Sequence, residues 1–243
     1  MVERAGISEA IGAILVFAVA VLCLSIYYTS YLMQEAKRSE VRHAHRVREQ
    51  FISLKEAVEK LDNGEVTITV PMTPESVSGL LYSPPSPRPG RMEVDNSGQG
   101  SIRYLSSYIS SSNFSLLFEG GAVILVQGGT ASFLSPPALF GLESENTVRT
   151  VEYFVGGGGS LSMSGEVCVR VRVGVEENMQ ENVRYQLAPR PETRELWWGY
   201  LKAENSRLSL GASLENEGGN LRLTVENVWW RRVVVELKIS LGI

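Results

Sequence analysis

The chain has 243 residues, a formal net charge of −4 and a hydrophobic content of 44%. This mildly acidic balance argues against nucleic acid as a partner, because a nucleic-acid-binding protein needs a basic surface. Two cysteines and two histidines supply neither a disulfide framework nor a metal-ligand spacing, so we expect no metal and no cofactor.

The first long segment of the chain is apolar. From Ala10 to Met33 the sequence has 24 residues without a charged side chain. As a helix they would extend about 36 Å, which is enough to cross a hydrocarbon core of about 30 Å. Three tyrosines end the segment, as is typical of a membrane interface: Tyr27, Tyr28 and Tyr31. We therefore predict a transmembrane helix over residues 7–33. The alternative, a buried helix of a soluble protein, rarely lacks a polar face over such a length.

A short polar leader, residues 1–6, precedes this helix and ends in the small residues Ala5 and Gly6. The apolar run is too long for an ordinary secretory signal, and no small-residue cleavage site follows it. The leader and the sequence ISEAIGAIL that begins at Ile7 together resemble the class III signal of archaeal type IV pilins. The resemblance implies that a prepilin peptidase removes the leader after Gly6 or, alternatively, after Ala5. It also implies that pilus assembly machinery packs the mature helices into a filament.

Glu9 and several small residues have roles in this interpretation. Bacterial pilins place a glutamate fifth in the mature chain, whereas Glu9 would be third or fourth. Its carboxylate could neutralise the new N-terminal amine within the membrane, where an unpaired charge is costly, or it could lie in the interface and solvate the helix start. The small residues would let neighbouring helices approach closely: Gly12, Ala13, Ala18 and Ala20.

Residues 34–63 are predicted to extend the helix into water. They carry an apolar stripe with heptad-like spacing, formed by Val47, Phe51, Leu54, Val58 and Leu61. We expect this stripe to lie on a globular head, as in a pilin, and the alternative is a simple coiled coil. His43 and His45 point to different faces of a helix and are expected to be solvated.

Charge alone gives a different orientation from the one that the resemblance implies. Basic residues are unequally divided between the two ends of the apolar segment, with Lys37, Arg38, Arg42, Arg46 and Arg48 after it and Arg4 before it. Such a bias would put the head in the cytoplasm. A pilin-type signal requires an extracytoplasmic head. Since acidic residues are interspersed among the basic ones, we favour a membrane-anchored protein whose head is outside, on the cell surface or in a filament.

From Gly64 the hydrophobic period changes from helical to alternating. Residues 64–243 are predicted to form eight to ten strands with short turns and no further helix, interrupted by a Pro-rich loop over residues 71–99. The sequence Glu119-Gly120-Gly121 indicates a hairpin. The predicted fold class is therefore α+β, with a long N-terminal hydrophobic helix followed by an antiparallel all-β sandwich or barrel-like head.

Two adjacent tryptophan pairs are predicted to lie on strands, so that one ring of each pair points into the core and its neighbour points outward. They are Trp197-Trp198 and Trp229-Trp230. The outward rings would lie at a subunit interface or, alternatively, stack on a sugar. Asn113-Phe114-Ser115 matches the glycosylation acceptor pattern, which makes Asn113 a candidate modification site.

No catalytic motif stands out in the chain. There is no histidine after His45 and no Gly-x-Ser-x-Gly elbow, so we predict a structural protein and not an enzyme. The resemblance implies a pilin-like subunit of a cell-surface filament that associates with itself or with related subunits. Two alternatives remain. One is a single-pass membrane-anchored surface domain that does not polymerise and binds a protein or glycan. The other is a membrane-tethered hydrolase with two carboxylates.

Overall fold

One continuous helix, α1 (Val2–Lys60), begins the computed structural model. The structure describes residues 2–61, 63–79, 82–144, 147–181, 184–208, 212–225 and 229–242, and it describes no side chain for residues 2–10 and 144. The 59 residues of α1 correspond to a rod about 88 Å long. No glycine or proline follows Gly12 within it, so nothing in the sequence breaks its hydrogen-bond ladder. The predicted helical extension over residues 34–63 is therefore confirmed as far as Lys60.

The head that follows is rich in strands, as predicted. In chain order these are β1 (Gly64–Pro71), β2 (Arg91–Asp95), β3 (Ser101–Leu105), β4 (Phe114–Glu119), β5 (Ala122–Gln127), β6 (Thr130–Ser135), β7 (Phe140–Ser144), β8 (Thr147–Gly156), β9 (Gly159–Leu161), β10 (Glu166–Glu181), β11 (Arg184–Leu187), β12 (Ser213–Glu217), β13 (Asn220–Thr224) and β14 (Trp229–Gly242). A second helix, α2 (Arg194–Leu208), lies between β11 and β12. The described strands outnumber the predicted eight to ten because several of them, such as β9, are short.

The described strands form three sheets. Their strand orders are β1-β10-β14-β8-β7, β6-β5-β4-β3-β2-β9 and β11-β13-β12. One sheet curls into a half barrel. The fold class is α+β with a mostly antiparallel β head, as predicted. The expectation of a wholly antiparallel head was wrong at one place, because β14 and β8 pair in parallel from Trp229 with Thr147 to Lys238 with Gly156.

Alternation in the sequence accounts for the most regular strand. In β10 the valines at 167, 169, 171 and 173 are all buried, while Arg170 and Arg172 between them are exposed. With this period of two residues, one face of the strand is apolar and buried and the other is exposed to solvent. The predicted hairpin is also confirmed, since Glu119 pairs with Ala122 across the two glycines between them. Gly120 and Gly121 have φ values of 54° and 75°, which suit a two-residue turn that few other residues tolerate.

Helix α2 corrects the prediction that no helix follows Gly64. Trp197 and Trp198 lie within it and not on a strand. Its buried residues Trp197, Leu201 and Leu208 are four and seven positions apart, which is a helical spacing. Adjacent aromatic residues favour strands by propensity, and tertiary packing overrides that preference here. Leu208 ends α2, and residues 209–211 lie outside the described part of the chain.

The predicted Pro-rich loop is shorter than expected. Residues 72–79 and 82–90 form no regular element, but Pro71 belongs to β1 and residues 91–95 form β2. Strand β2 pairs with β3 and β9 in register from Met92 to Val94. The ends of the loop are joined by a hydrogen bond of 2.6 Å, in which the Gly90 amide donates to the Met72 carbonyl. The loop therefore begins and ends at one point of the head.

The apolar stripe of α1 is buried in the head. Val47, Phe51, Leu54 and Val58 are each at most 2% exposed, and they join one core cluster with residues of all three sheets. Leu61, just after the helix, packs against the same cluster. This confirms the prediction that the stripe lies on a globular head and rules out the simple coiled coil as the purpose of these residues.

We expect truncation of the stripe to unfold the head at lower denaturant concentration. Phe51→Ala removes a ring that is 1% exposed, and such a loss in a core costs about 3–5 kcal/mol of unfolding free energy. Glu56→Ala, on the exposed face of the same helix, should change it by less than about 0.5 kcal/mol. Denaturant unfolding of the full chain in detergent measures both. Equal effects of the two variants would contradict the assigned packing.

Candidate membrane-anchoring and assembly helix

The N-terminal part of α1 projects from the head as an exposed apolar rod. Every side chain from Ile11 to Tyr27 is exposed, and Phe17, for example, is 71% exposed. A soluble monomer rarely leaves so large a continuous apolar surface in water. The helix is long and apolar enough to span a membrane, and none of the described residues buries its most apolar stretch.

The small residues predicted for helix packing are placed on different sides of this rod. Ala13 and Ala20 are seven positions apart and share a face, Gly12 is adjacent to that face, and Ala18 points away from it. All four are exposed. A side chain added at Gly12 would meet nothing within 4 Å. The rod therefore offers at least one face on which a neighbouring helix could approach closely.

The residues of the predicted cleavage site lie in the helical backbone of α1, but their side chains are outside the described part. These residues are Ala5, Gly6, Ile7 and Glu9. Cleavage of the leader and a charge-neutralising role for Glu9 remain predictions.

The junction between the rod and the head is polar and buried, which corrects the expectation that His43 is solvated. The His43 side chain is fully buried, with Nδ1 at 2.7 Å from the Tyr108 hydroxyl and Nε2 at 2.9 Å from the Pro71 carbonyl oxygen. A carbonyl can only accept, so Nε2–H donates to Pro71 and Nδ1 accepts from Tyr108. Burial lowers the pKa of His43 from 6.5 to about 4. Sequence reasoning missed this residue because a histidine carries no sign of its burial.

Glu40 makes a second polar contact in the same junction. Its carboxylate is 4% exposed and accepts hydrogen bonds from the backbone amides of Ile109 and Ser110 at 2.8–3.2 Å. A buried carboxylate requires such donors, because its desolvation is otherwise costly. Together, His43 and Glu40 tie α1 to Tyr108, Ile109 and Ser110, in the loop between β3 and β4.

Most of the basic residues that follow the apolar segment have partners in the structure. Glu35 accepts hydrogen bonds from Arg38 and Arg42 at 3.4 and 3.0 Å, and the bond from Arg42 lowers the pKa of Glu35. Arg46 pairs with Glu75 at 2.8 Å. The Arg48 guanidinium lies 5.2 Å above the Phe114 ring. These contacts place acidic or aromatic groups beside most of the basic side chains. The number of basic residues after the apolar segment therefore overstates the net positive charge in this part of α1.

Each of the two tryptophan pairs has one buried member. Trp197 is fully buried, and its Nε1–H donates to Glu119 Oε2 at 2.9 Å. The same carboxylate accepts from the Thr193 hydroxyl at 2.7 Å, so it joins the start of α2 to the end of β4. Trp198 is partly buried against the core. Trp197 therefore has no free face for a sugar or a partner.

The second pair follows the predicted alternation. Trp230 is fully buried and Trp229 is 49% exposed at the start of β14. Trp229 remains a candidate interface aromatic.

Asn113 is exposed, but its Oδ1 accepts the Tyr108 amide at 2.5 Å, so the side chain also closes the loop between β3 and β4. Glycosylation of Asn113 remains a prediction.

A further contact on α1 escaped sequence reasoning. Leu32 is only 4% exposed, although its neighbours Tyr31 and Met33 are exposed. The loop between β1 and β2 covers it, since a Cβ built on Gly79 would lie 2.6 Å from Leu32 Cδ1. The available signal was the apolar sequence from Val77 to Tyr82 inside an otherwise turn-like stretch.

Comparisons with protein-family models, with curated proteins and with solved structures give no match to this chain. Within the described residues, no group of three or more His, Cys, Asp or Glu side chains is arranged to hold a metal ion. Cys23 and Cys168 are free thiols, one exposed on α1 and one in β10. The rod, its junction with the head and the exposed surface of the rod are therefore the features from which a function can be inferred.

Burial of His43 predicts an acid-sensitive junction. The folded protein holds this imidazole neutral, with a pKa of about 4 against 6.5 when unfolded. Because the folded-state pKa is depressed, the contribution to stability is complete above pH 6.5 and is lost as the pH falls toward 4. The loss is on the order of 2–3 kcal/mol. In denaturant titrations of the full chain at pH 7 and pH 4.5, His43→Gln should reduce the pH dependence, and His45→Gln should not. The same pH dependence in His43→Gln and the native chain would contradict this assignment.

Proposed function

We propose that this chain is a pilin-like structural subunit of a cell-surface filament, anchored in the membrane before assembly through the N-terminal part of α1. The observation that carries the proposal is the continuity of α1. A single helix presents an exposed apolar rod at one end and is buried in a β head at the other. A subunit of this form can exchange lipid for neighbouring rods without refolding its head.

The exposed surface of the rod supports assembly in addition to anchoring. Lipid packs against any apolar helix, but close packing of helices favours small residues that let backbones approach. Ala13 and Ala20 supply one such face with Gly12 beside it, and none of the three is covered by the head. On the head, Trp229 offers a half-exposed ring for contact with a neighbouring subunit.

The leader supplies the first test. A peptidase that cleaves beside small residues should not accept branched ones, so Ala5→Val combined with Gly6→Val should leave the leader attached. Intact-mass measurement of the protein from native membranes gives the N-terminus directly. We expect a shorter mature chain for the native sequence and a full-length chain for the double variant. An identical mature mass for both would remove the pilin-type signal from consideration.

Assembly is tested separately by filling the small-residue face. Gly12→Leu with Ala13→Leu keeps the segment apolar, so membrane insertion and leader cleavage should continue. The added volume has no room in a close bundle, so the yield of sheared surface filaments should fall by about tenfold or more. A matched control, Leu22→Ile with Leu24→Ile, keeps the volume and should give the native yield.

Two outcomes would contradict the proposal. Filaments of normal yield from the Leu-substituted chain would show that the small residues do not pack. A native chain that is processed and inserted but never found in sheared material would instead favour a membrane-anchored surface domain that does not polymerise.

A further inference from the structure

The loop between β1 and β2, described over residues 72–79 and 82–90, follows α1 away from the head, and we name it the strap. Its ends are fixed, since the Met72 amide donates to the Gly165 carbonyl at 2.7 Å and the Gly90 amide donates to the Met72 carbonyl at 2.6 Å. The Met72 side chain is fully buried. Both legs of the strap therefore start from one firm point in the head, beside the His43 contact with Pro71.

Contacts with α1 show that the first half of the strap runs along this helix. Near its start, the Glu75 carbonyl accepts from the Ser39 hydroxyl at 2.7 Å. Further along, a Cβ built on Gly79 would lie 2.5 Å from the Tyr28 hydroxyl oxygen, so this glycine lies directly against the helix. Eleven residues separate Ser39 from Tyr28, which is about 16 Å along the helix axis. The strap thus runs toward the N-terminus of α1, away from the head.

The tip of the strap reaches the level of the predicted membrane segment. Tyr82 on the returning leg places its hydroxyl 3.8 Å from the Met33 sulfur. Met33 is the last residue of the apolar run, and Tyr28 lies five residues, or about 7 Å, inside it. Elements that lie in a membrane interface are buried to a depth of about 5–10 Å. The strap tip is therefore at interfacial depth whenever α1 spans a bilayer.

The composition of the tip suits that depth. Residues 76–87 carry no charge, and the charged residues Glu75 and Arg88 flank this stretch on the side nearer the head. Tyr82 lies beside the end of the apolar run that carries Tyr27, Tyr28 and Tyr31, and tyrosine rings are favoured at a membrane interface. Leu80 and Leu81 occur between Gly79 and Tyr82 in the sequence and lie outside the described residues. An irregular backbone needs water or headgroups to satisfy its polar groups, so the interface suits it and the hydrocarbon core does not.

Proline makes the returning leg stiff. Pro84, Pro85, Pro87 and Pro89 favour an extended polyproline conformation, in which six residues cover about 19 Å. That length matches the distance of about 16 Å along α1 that the chain must cover to return to the head. A leg with few alternative conformations loses little entropy when it is held in place.

We propose that the tip of the strap, around Val77, Ser78, Gly79 and Tyr82, lies in the headgroup–acyl boundary of the bilayer as a second membrane contact of this chain. This inference depends on the membrane anchoring of α1 in the proposed function. It goes beyond that function, because an anchor needs only the helix. The occupant of this surface is lipid, since the tip is uncharged and lies beside Tyr28 and Met33 at the end of the membrane segment that is nearer the head. With two contacts, the head is held at a fixed height and tilt above the membrane.

The test places a fluorescent label in the strap of the full chain, reconstituted in phosphatidylcholine vesicles. Ser78 is exposed in the structure, so the protein itself does not shield it. The label is attached to Ser78→Cys in a chain that also carries Cys23→Ser and Cys168→Ser. A matched control is Ser53→Cys, on an exposed position of α1 that is twenty residues, or about 30 Å, beyond Met33. A third chain keeps native Cys23 as the only thiol and reports on the rod.

We expect the label at Ser78→Cys to be quenched by a spin label carried near the lipid headgroup and to be roughly threefold less accessible to aqueous iodide than the label at Ser53→Cys. The label at Cys23 should be quenched by a spin label carried deep in the acyl chains. If the Cys23 label is quenched by lipid and the Ser78→Cys label behaves like the Ser53→Cys control, the strap inference is wrong and the anchor stands.

Two other outcomes would contradict the membrane anchor or the lipid contact of the strap. If the Cys23 label shows no lipid quenching, the membrane anchor itself is wrong, and the strap inference fails with it. If the Ser78→Cys label is protected from iodide but not quenched by lipid, and loses that protection when the protein is diluted in lipid, a second copy of the chain covers the strap.

Discussion

The burial of one helical stripe in the head determines the orientation of the N-terminal rod relative to the head. Val47, Phe51, Leu54 and Val58 lie in the core of the head, and they belong to the same uninterrupted helix as the exposed rod. Since an α-helix of this kind bends only gently, the direction of the rod is set by the packing of the stripe. The large apolar surface of the rod is therefore oriented by contacts that lie inside the head.

The polar groups at the junction add direction to that packing. Apolar contacts alone would tolerate some sliding of the helix along its groove, because they are not directional. His43 and Glu40 bind particular backbone groups of Pro71, Ile109 and Ser110. Moving the helix by one residue would break these bonds and leave buried polar groups without partners. The stripe therefore supplies the stability, and the buried histidine and glutamate select the register.

Sequence patterns predicted the elements whose burial is periodic. The stripe of α1 has the predicted heptad-like period, and the buried valines of β10 follow the alternating period expected after Gly64. Helix α2 was missed because Trp197 and Trp198 resemble strand residues, and its helical face depends on Leu201 and Leu208 packing against distant strands. The residues around His43 give no sign of its burial, and the only signal for the cover over Leu32 lies far along the chain, in Val77–Tyr82. Both depend on loops that approach α1 from far along the chain.

The place of β14 in its sheet has a consequence for the order in which the head is completed. It is the last described strand in the chain, yet it lies in the middle of its sheet, with β10 on one side and β8 on the other. Before β14 joins the sheet, the β1–β10 pair and the β7–β8 pair are not connected to each other. Contacts between residues far apart in sequence form late, so the five-stranded sheet stays in two parts until β14 has been synthesised and inserted between β10 and β8.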